Sequence, residues 1–195
     1  MQSNIRQING RWDLGYAMDK HIVSSIYIGD NEYGHPQFET NRTPAGEALY
    51  RLKYRADWEQ IAPLAHYLKQ HAIPLFHHIG FIVPMPASTP RERQPVTEIA
   101  RALGSLANIP CFDNLLVKAP GDVSLKNLNT REEKMAAIEN AFSVNPVIAN
   151  DGRWNVLLID DLYHTGTTAE AACMALRRYT KVDNIYVAAL TWKPS

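Results

Sequence analysis

The chain has 195 residues, with 20 Lys+Arg balanced by 20 Asp+Glu, 46% hydrophobic and 21% charged residues. That apolar content excludes a disordered chain, and 10 Gly with 12 Pro exclude collagen-like or low-complexity sequence. A formal charge of zero, split as 8 basic and 8 acidic residues before position 72, argues against a surface that coats nucleic acid or an anionic membrane. Cys111 and Cys173 lie in apolar stretches without metal-ligand spacing and read as buried free thiols. The polar Met1–Gly10 segment lacks the apolar core of a signal peptide, and no run reaches the ~18 apolar residues of a membrane span, so the chain reads as cytosolic.

In chain order, Trp12, Leu14, Tyr16 and Met18 alternate with smaller or polar residues, the period of a half-buried strand. Ile22–Ile28 is β-branched and aromatic, and the turn residues around Gly29–Gly34 precede a return over His35–Thr40. Together these predict a small antiparallel sheet. Thr43-Pro44 is an N-cap followed by proline at the first helical position, and Ala45, Leu49 and Leu52 continue at helical spacing. Trp58, Ile61, Ala65 and Leu68 form a second helical set. Residues 1–72 are therefore assigned to an N-terminal strand and helix hood, and 73–195 to an α/β core.

From Ile79 the pattern changes to alternating strands and helices. Ile79–Val83, Cys111–Val117, Val156–Ile159 and Ile185–Leu190 are predicted strands; the last three are near-continuous apolar runs, suited to a parallel sheet covered on both faces. Helices are predicted over Thr97–Ala107 and through Ala169, Cys173, Leu176 and Tyr179. The fold class is an open, mostly parallel α/β sheet flanked by helices, with ligands beyond the carboxyl ends of its strands. Lys118–Trp154 has little regular pattern apart from a short helix near residues 130–137 and an extended Ala141–Val144, and its length suits a binding loop.

Chemistry concentrates in Val156–Thr168. An apolar strand runs into Asp160-Asp161, then Thr165-Gly166-Thr167-Thr168 opens a helix. Backbone amides at a helix N-terminus, a permissive glycine and three hydroxyls make an anion cradle that needs no Lys or Arg. The two carboxylates beside it suit the vicinal hydroxyls of a sugar, or Mg²⁺ bound directly or through water. Two acids before a helix are alone more often an N-cap and surface turn; the thirteen-residue combination is specific.

This segment resembles the signature of the type I phosphoribosyltransferases, which bind PRPP (5-phosphoribosyl-1-pyrophosphate). Tyr163 and His164 depart from the aliphatic and small hydroxyl residues usual there. Ile82–Pro86 followed by Arg91-Glu92-Arg93, with Leu52-Lys53-Tyr54 upstream, is similar to the ComF-like branch; Arg93-Gln94-Pro95-Val96 departs from its common pattern. The cysteine zinc ribbon frequent in that branch has no counterpart before Cys111. The resemblance covers roughly residues 45–192.

It implies the 5-phosphate on His164, Thr165, Gly166, Thr167 and Thr168, and the ribose diol, with Mg²⁺, at Asp160 and Asp161. It further implies pyrophosphate at a loop of Met85, Pro86, Ala87 and Ser88 with Arg91 and Arg93, and a mobile loop carrying Lys118, Lys126 and Arg131. The expected activity is Mg²⁺-dependent phosphoribosyl transfer from PRPP to a nitrogenous acceptor held by the hood, with release of pyrophosphate. The competing expectation is a non-catalytic PRPP- or nucleotide-binding regulator associated with DNA uptake. A homodimer is expected from the habits of such proteins; membrane attachment and strong direct nucleic-acid binding are not. His66, His71, His77 and His78 straddle a helix end and Pro74 and do not read as metal ligands; Tyr163 reads as either a base-stacking or a loop-packing aromatic.

Overall fold

The computed structural model describes residues 1, 3–87, 91–118 and 140–194. The strands are β1 (Arg6–Gln7), β2 (Leu14–Lys20), β3 (Ile22–Asp30), β4 (Pro36–Arg42), β5 (Ile79–Pro84), β6 (Leu116–Lys118), β7 (Phe142–Val144), β8 (Trp154–Tyr163) and β9 (Val182–Trp192). The helices are α1 (Pro44–Tyr54), α2 (Ile61–His71), α3 (Pro95–Ala107) and α4 (Thr167–Arg177), with short 3-10 turns at Trp58–Gln60 and Ile73–Leu75.

The central sheet has the order β1-β2-β9-β8-β5. β2, β9, β8 and β5 run parallel and β1 antiparallel to β2. Alternate residues of β8 face opposite ways. Val156 and Leu158 enter the core under α4 with Val187, Ala172 and Leu176, while Leu157 and Ile159 enter the core shared with Leu49, Leu64, Leu68, Ile99 and Leu103 of α1, α2 and α3. All these side chains are buried. Two covered faces account for the uninterrupted apolar runs of β8 and β9. This is the expected open, mostly parallel sheet between helices.

Helix boundaries follow local chemistry. The Thr43 side chain accepts a hydrogen bond from the Gly46 amide (3.1 Å), and Pro44 occupies the first turn of α1. Gly46 lets this turn approach the preceding loop: a Cβ there would lie 2.1 Å from the His21 carbonyl oxygen. α3 ends on Asn108 in the left-handed region (φ 56°).

Two expectations are corrected. The first forty residues do not form one antiparallel sheet: β2 pairs in parallel with β9, Leu14 beside Tyr186 through Lys20 beside Trp192. Its small and apolar residues, Gly15, Ala17 and Met18, are buried between two cores rather than half-exposed, and Met18 and Ala17 belong to different cores. Only β3 and β4 make a separate antiparallel ribbon. Residues 1–72 therefore share both hydrophobic cores with the rest of the chain. Second, Cys111–Val117 is not a continuous core strand. Cys111 makes one parallel bridge to Ile82, a turn at Asp113–Leu115 follows, and β6 pairs with β7 in a small separate ladder. The extended Ala141–Val144 segment is found in β7; the helix expected near 130–137 lies outside the described residues.

Candidate active site

At the carboxyl ends of β5 and β8 lies a cleft of about 360 Å³. β8 does not stop before the acidic pair. It continues through Asp160 and Asp161 to Tyr163, which pairs with Trp192. The acids are therefore held by ladder hydrogen bonds rather than by a loop. Adjacent positions on a strand point to opposite faces, yet both residues line the cleft at the carboxyl end of the strand.

Asp160 accepts a hydrogen bond from the Asp161 amide (2.8 Å). Burial, reinforced by the neighbouring Asp161 carboxylate, pushes the Asp160 carboxyl above the ordinary carboxylate range; the Asp161 amide, Lys53 and the Leu162 amide pull the other way. Asp161 is neutralised by Lys53, whose Nζ lies 2.6 Å from Oδ2. The side chains of this pair are 30% and 16% exposed, so the attraction is only partly screened by solvent.

Beyond Tyr163 the chain turns through His164 and Thr165 into α4. Gly166 precedes the helix at φ 82°, and no side chain caps it. The Glu170 amide bonds back to the Gly166 carbonyl (2.8 Å), while the first-turn amides of Thr167, Thr168 and Ala169 lack a side-chain cap. Thr165 and Thr167 bring their hydroxyls to 3.2 Å from each other. The result is a positive helix end with hydroxyls on its rim. Tyr163 packs into this turn: a Cβ on Gly166 would meet its ring at 3.0 Å, and the ring stands edge-on to Trp12 at 6.4 Å.

Met85 extends the end of β5 by donating its amide to the Ile159 carbonyl (2.8 Å), so Met85, Pro86 and Ala87 form the opposite wall. Arg91 lines the same cleft and donates to the Lys53 carbonyl (3.1 Å), tying the last turn of α1 to this wall.

The structure thus brings together Asp160, Asp161, His164, Thr165, Gly166, Thr167, Thr168, Met85, Pro86, Ala87 and Arg91. Arg93 is turned away: its guanidinium lies over the Trp58 ring (4.1 Å) and pairs with Glu98 (3.2 Å). Lys118, at the end of β6 opposite Phe142, does not line the cleft. Ser88, Lys126 and Arg131 lie outside the described residues.

Sequence reasoning assigned no role to Lys53 or Gln94, both of which line the cleft. It also missed a relay behind Asp161. The Thr191 hydroxyl donates to the Asp161 carbonyl (2.9 Å) and so accepts from His21 Nδ1 (3.0 Å). That fixes the imidazole with its proton on Nδ1. Burial first, then the nearby Lys193 and Arg42, lower the His21 pKa, so the neutral ring is favoured.

As for Mg²⁺, no group of three or more His, Cys, Asp or Glu among the described residues could hold a metal ion. Two carboxylates do fit the way this cation is bound at phosphate sites, where one or two protein oxygens suffice and waters and substrate oxygens complete the octahedron. No helix among the described residues is long and apolar enough to cross a membrane.

The fold is that of the type I phosphoribosyltransferases. The adenine phosphoribosyltransferase from Trypanosoma brucei, solved with AMP, pyrophosphate and ribose-5-phosphate, matches at TM-score 0.51 and 10% identity, over 98% of this chain and 76% of that one. The corresponding enzyme from Leishmania tarentolae matches at TM-score 0.49 and 9% identity over 97% and 95% of the two chains. The glutamine PRPP amidotransferase from B. subtilis matches at TM-score 0.48 and 16% identity over 80% of this chain and 34% of its own. At these identities the likeness is one of fold. No protein-family model matches the chain, and no curated protein matches its sequence.

Proposed function

We propose that the protein is a Mg²⁺-dependent phosphoribosyltransferase that moves the 5-phosphoribosyl group of PRPP to a nitrogenous acceptor and releases pyrophosphate. One observation carries this reading: the uncapped N-terminus of α4, with its Thr-rich turn, and the adjacent carboxylates of β8 open into the same cleft. The first fits a phosphomonoester and the second a sugar diol, the two groups that a ribose 5-phosphate presents together.

In this assignment the amides of Thr167, Thr168 and Ala169 and the Thr hydroxyls hold the 5-phosphate. Asp160 and Asp161 accept from the ribose 2- and 3-hydroxyls and favour the positive charge that develops on the ring as the C1–oxygen bond to pyrophosphate breaks. The electron pair of that bond leaves with pyrophosphate, and the acceptor nitrogen supplies the new pair to C1 and then loses a proton. Mg²⁺, held through Asp160 or Asp161 and their waters, would neutralise charge on the leaving group. Lys53 and Arg91 add cations on the same wall. Cytoplasmic location and a role in nucleotide metabolism belong to the same reading.

Calorimetric titration with PRPP and Mg²⁺ tests it. Saturable binding is expected, lost when Asp160→Asn and Asp161→Asn are combined; no heat in the wild type overturns the reading. Pyrophosphate release is then followed over a panel of purine and pyrimidine bases and simple amines. Turnover with one of them separates the enzyme from a protein that only senses PRPP.

A further inference from the structure

Tyr163 lines the cleft, yet the assignment above gives it no task. Its place is closely determined. The backbone pairs with Trp192 in the β8–β9 ladder, and the Tyr163 carbonyl accepts from the Lys193 amide (2.9 Å). The ring stands edge-on to Trp12, with 6.4 Å between centroids and 85° between planes. It also lies over Gly166, where a Cβ would meet a ring carbon at 3.0 Å and the hydroxyl oxygen at 3.1 Å. Trp12 is itself fixed. It is buried, and its indole N–H donates to the Ile8 carbonyl (2.9 Å). The indole fits because Gly10 and Gly15 carry no side chain; a Cβ on either would come within 2.4 Å of it.

What these contacts leave over is the hydroxyl. Among the described residues it makes no hydrogen bond, and the half-buried ring does not seal it from solvent. Packing against Trp12 and Gly166 needs only the ring, and a tyrosine hydroxyl brought into a site normally has a polar partner. The hydroxyl rests beside the residue that precedes the uncapped first turn of α4. The Thr167 nitrogen is two bonds from the Gly166 Cα, so standard bond lengths put hydroxyl and amide within roughly 6.5 Å of each other. Two donors that each lie about 2.8 Å from an oxygen of one phosphate can be this far apart.

We infer that Tyr163 is a phosphate-binding residue: its hydroxyl donates to an oxygen of the phosphate held by the Thr167 and Thr168 amides, and Trp12 is the positioning residue that keeps the ring over Gly166. The inference rests on the phosphoribosyl reading and adds to it a donor from outside the Thr-rich turn. A phenol is neutral, so it strengthens the cradle without adding charge. Through Trp12 the segment from Ile8 to Gly15, which does not line the cleft, becomes part of the phosphate site.

Calorimetry on the full chain, with ribose 5-phosphate and with inorganic phosphate, tests the inference. Tyr163→Phe keeps the ring and removes one oxygen, so thermal unfolding should be unchanged. Both affinities should fall about tenfold, the scale of one hydrogen bond to a charged group. Trp12→Phe should weaken phosphate binding in the wild type but not in the Tyr163→Phe protein, because it acts through the hydroxyl. The same change in both backgrounds, including none, overturns the part given to Trp12. Wild-type affinity in Tyr163→Phe overturns the inference and leaves the phosphoribosyl reading standing. A loss confined to pyrophosphate overturns it as well, since the hydroxyl would then serve the leaving group. A wild type that binds neither phosphate ligand overturns both.

Discussion

Gly166 is the residue on which the anion cradle turns. Its φ of 82° lies in the left-handed region, and a Cβ would press on the Tyr163 ring at 3.0 Å. Gly166→Ala should cost about 1–2 kcal/mol of stability through the left-handed conformation alone, read as a lower urea midpoint, and should weaken phosphate binding further by displacing Tyr163. Lys53 offers a sharper experiment. It is the cation that faces Asp161, and it also draws down the proton affinity of Asp160. Replacing it by Met removes the positive charge that lowers the Asp160 pKa, so the Asp160 titration should move to higher pH, as seen by its carboxyl carbon-13 resonance. On the proposed reading, PRPP affinity should fall about tenfold, the scale of one charge-assisted hydrogen bond. The cysteines give a simpler prediction. Cys173 is buried as expected, whereas Cys111 is only half-buried; burial still raises the Cys111 thiol to about 11 and the Cys173 thiol to about 12, so both stay protonated at neutral pH. Neither should react with a thiol reagent at pH 8 until the protein is unfolded.

His21 carries a pH signature of its own. Its folded pKa lies below the ordinary histidine value of about 6.5, so the unfolded chain binds the extra proton first as pH falls. Stability contributed by the neutral ring is present above pH 6.5 and is lost as the pH drops toward the folded value. Urea midpoints measured between pH 5 and 8 should decline on the acid side, and less steeply in His21→Gln.

Among the elements, those with a strong period or a local cap were legible in the sequence. α1 begins where Thr43-Pro44 said it would, and β8 and β9 occupy the expected apolar runs. The strand–acid–glycine–helix constellation of Val156–Thr168 forms one continuous unit, because all its determinants are local. What was hidden depends on distant partners. Strand β2 has an alternating pattern that suits an exposed sheet as well as a buried one, and only β9, some 170 residues away, decides between them. Lys53 reaches Asp161 across 108 positions, and nothing in its neighbourhood in the chain announces that contact. Arg93 illustrates the converse: its spacing beside Arg91 suggested a shared task, but Trp58 and Glu98 capture it.

At the scale of the molecule, charge neutrality and an anion site are compatible because the positive field of the cleft comes chiefly from backbone dipoles. Lys53 and Arg91 are its lining Lys and Arg residues among those described, and Lys53 is already paired. Raising the salt concentration should therefore weaken binding of a phosphate ligand only modestly, in contrast to the steep salt dependence of a lysine-rich surface.

The strand order also has a consequence for how the chain acquires its structure. β9 is the last described element to be synthesised, yet it sits inside the sheet, between β2 and β8. Until it emerges, β2 and β8 have no common neighbour, and both hydrophobic cores lack one wall. Contacts this far apart in sequence are slow to form, since the loop entropy is lost before the pairing is gained. Chains ended at Lys181 should show no cooperative unfolding transition, and the apolar edges of β2 and β8 should make them bind a hydrophobic dye. The centre of the sheet is missing until β9 joins it, which makes the pairing of this eleven-residue strand with β2 and β8 the step that commits the domain to the native state.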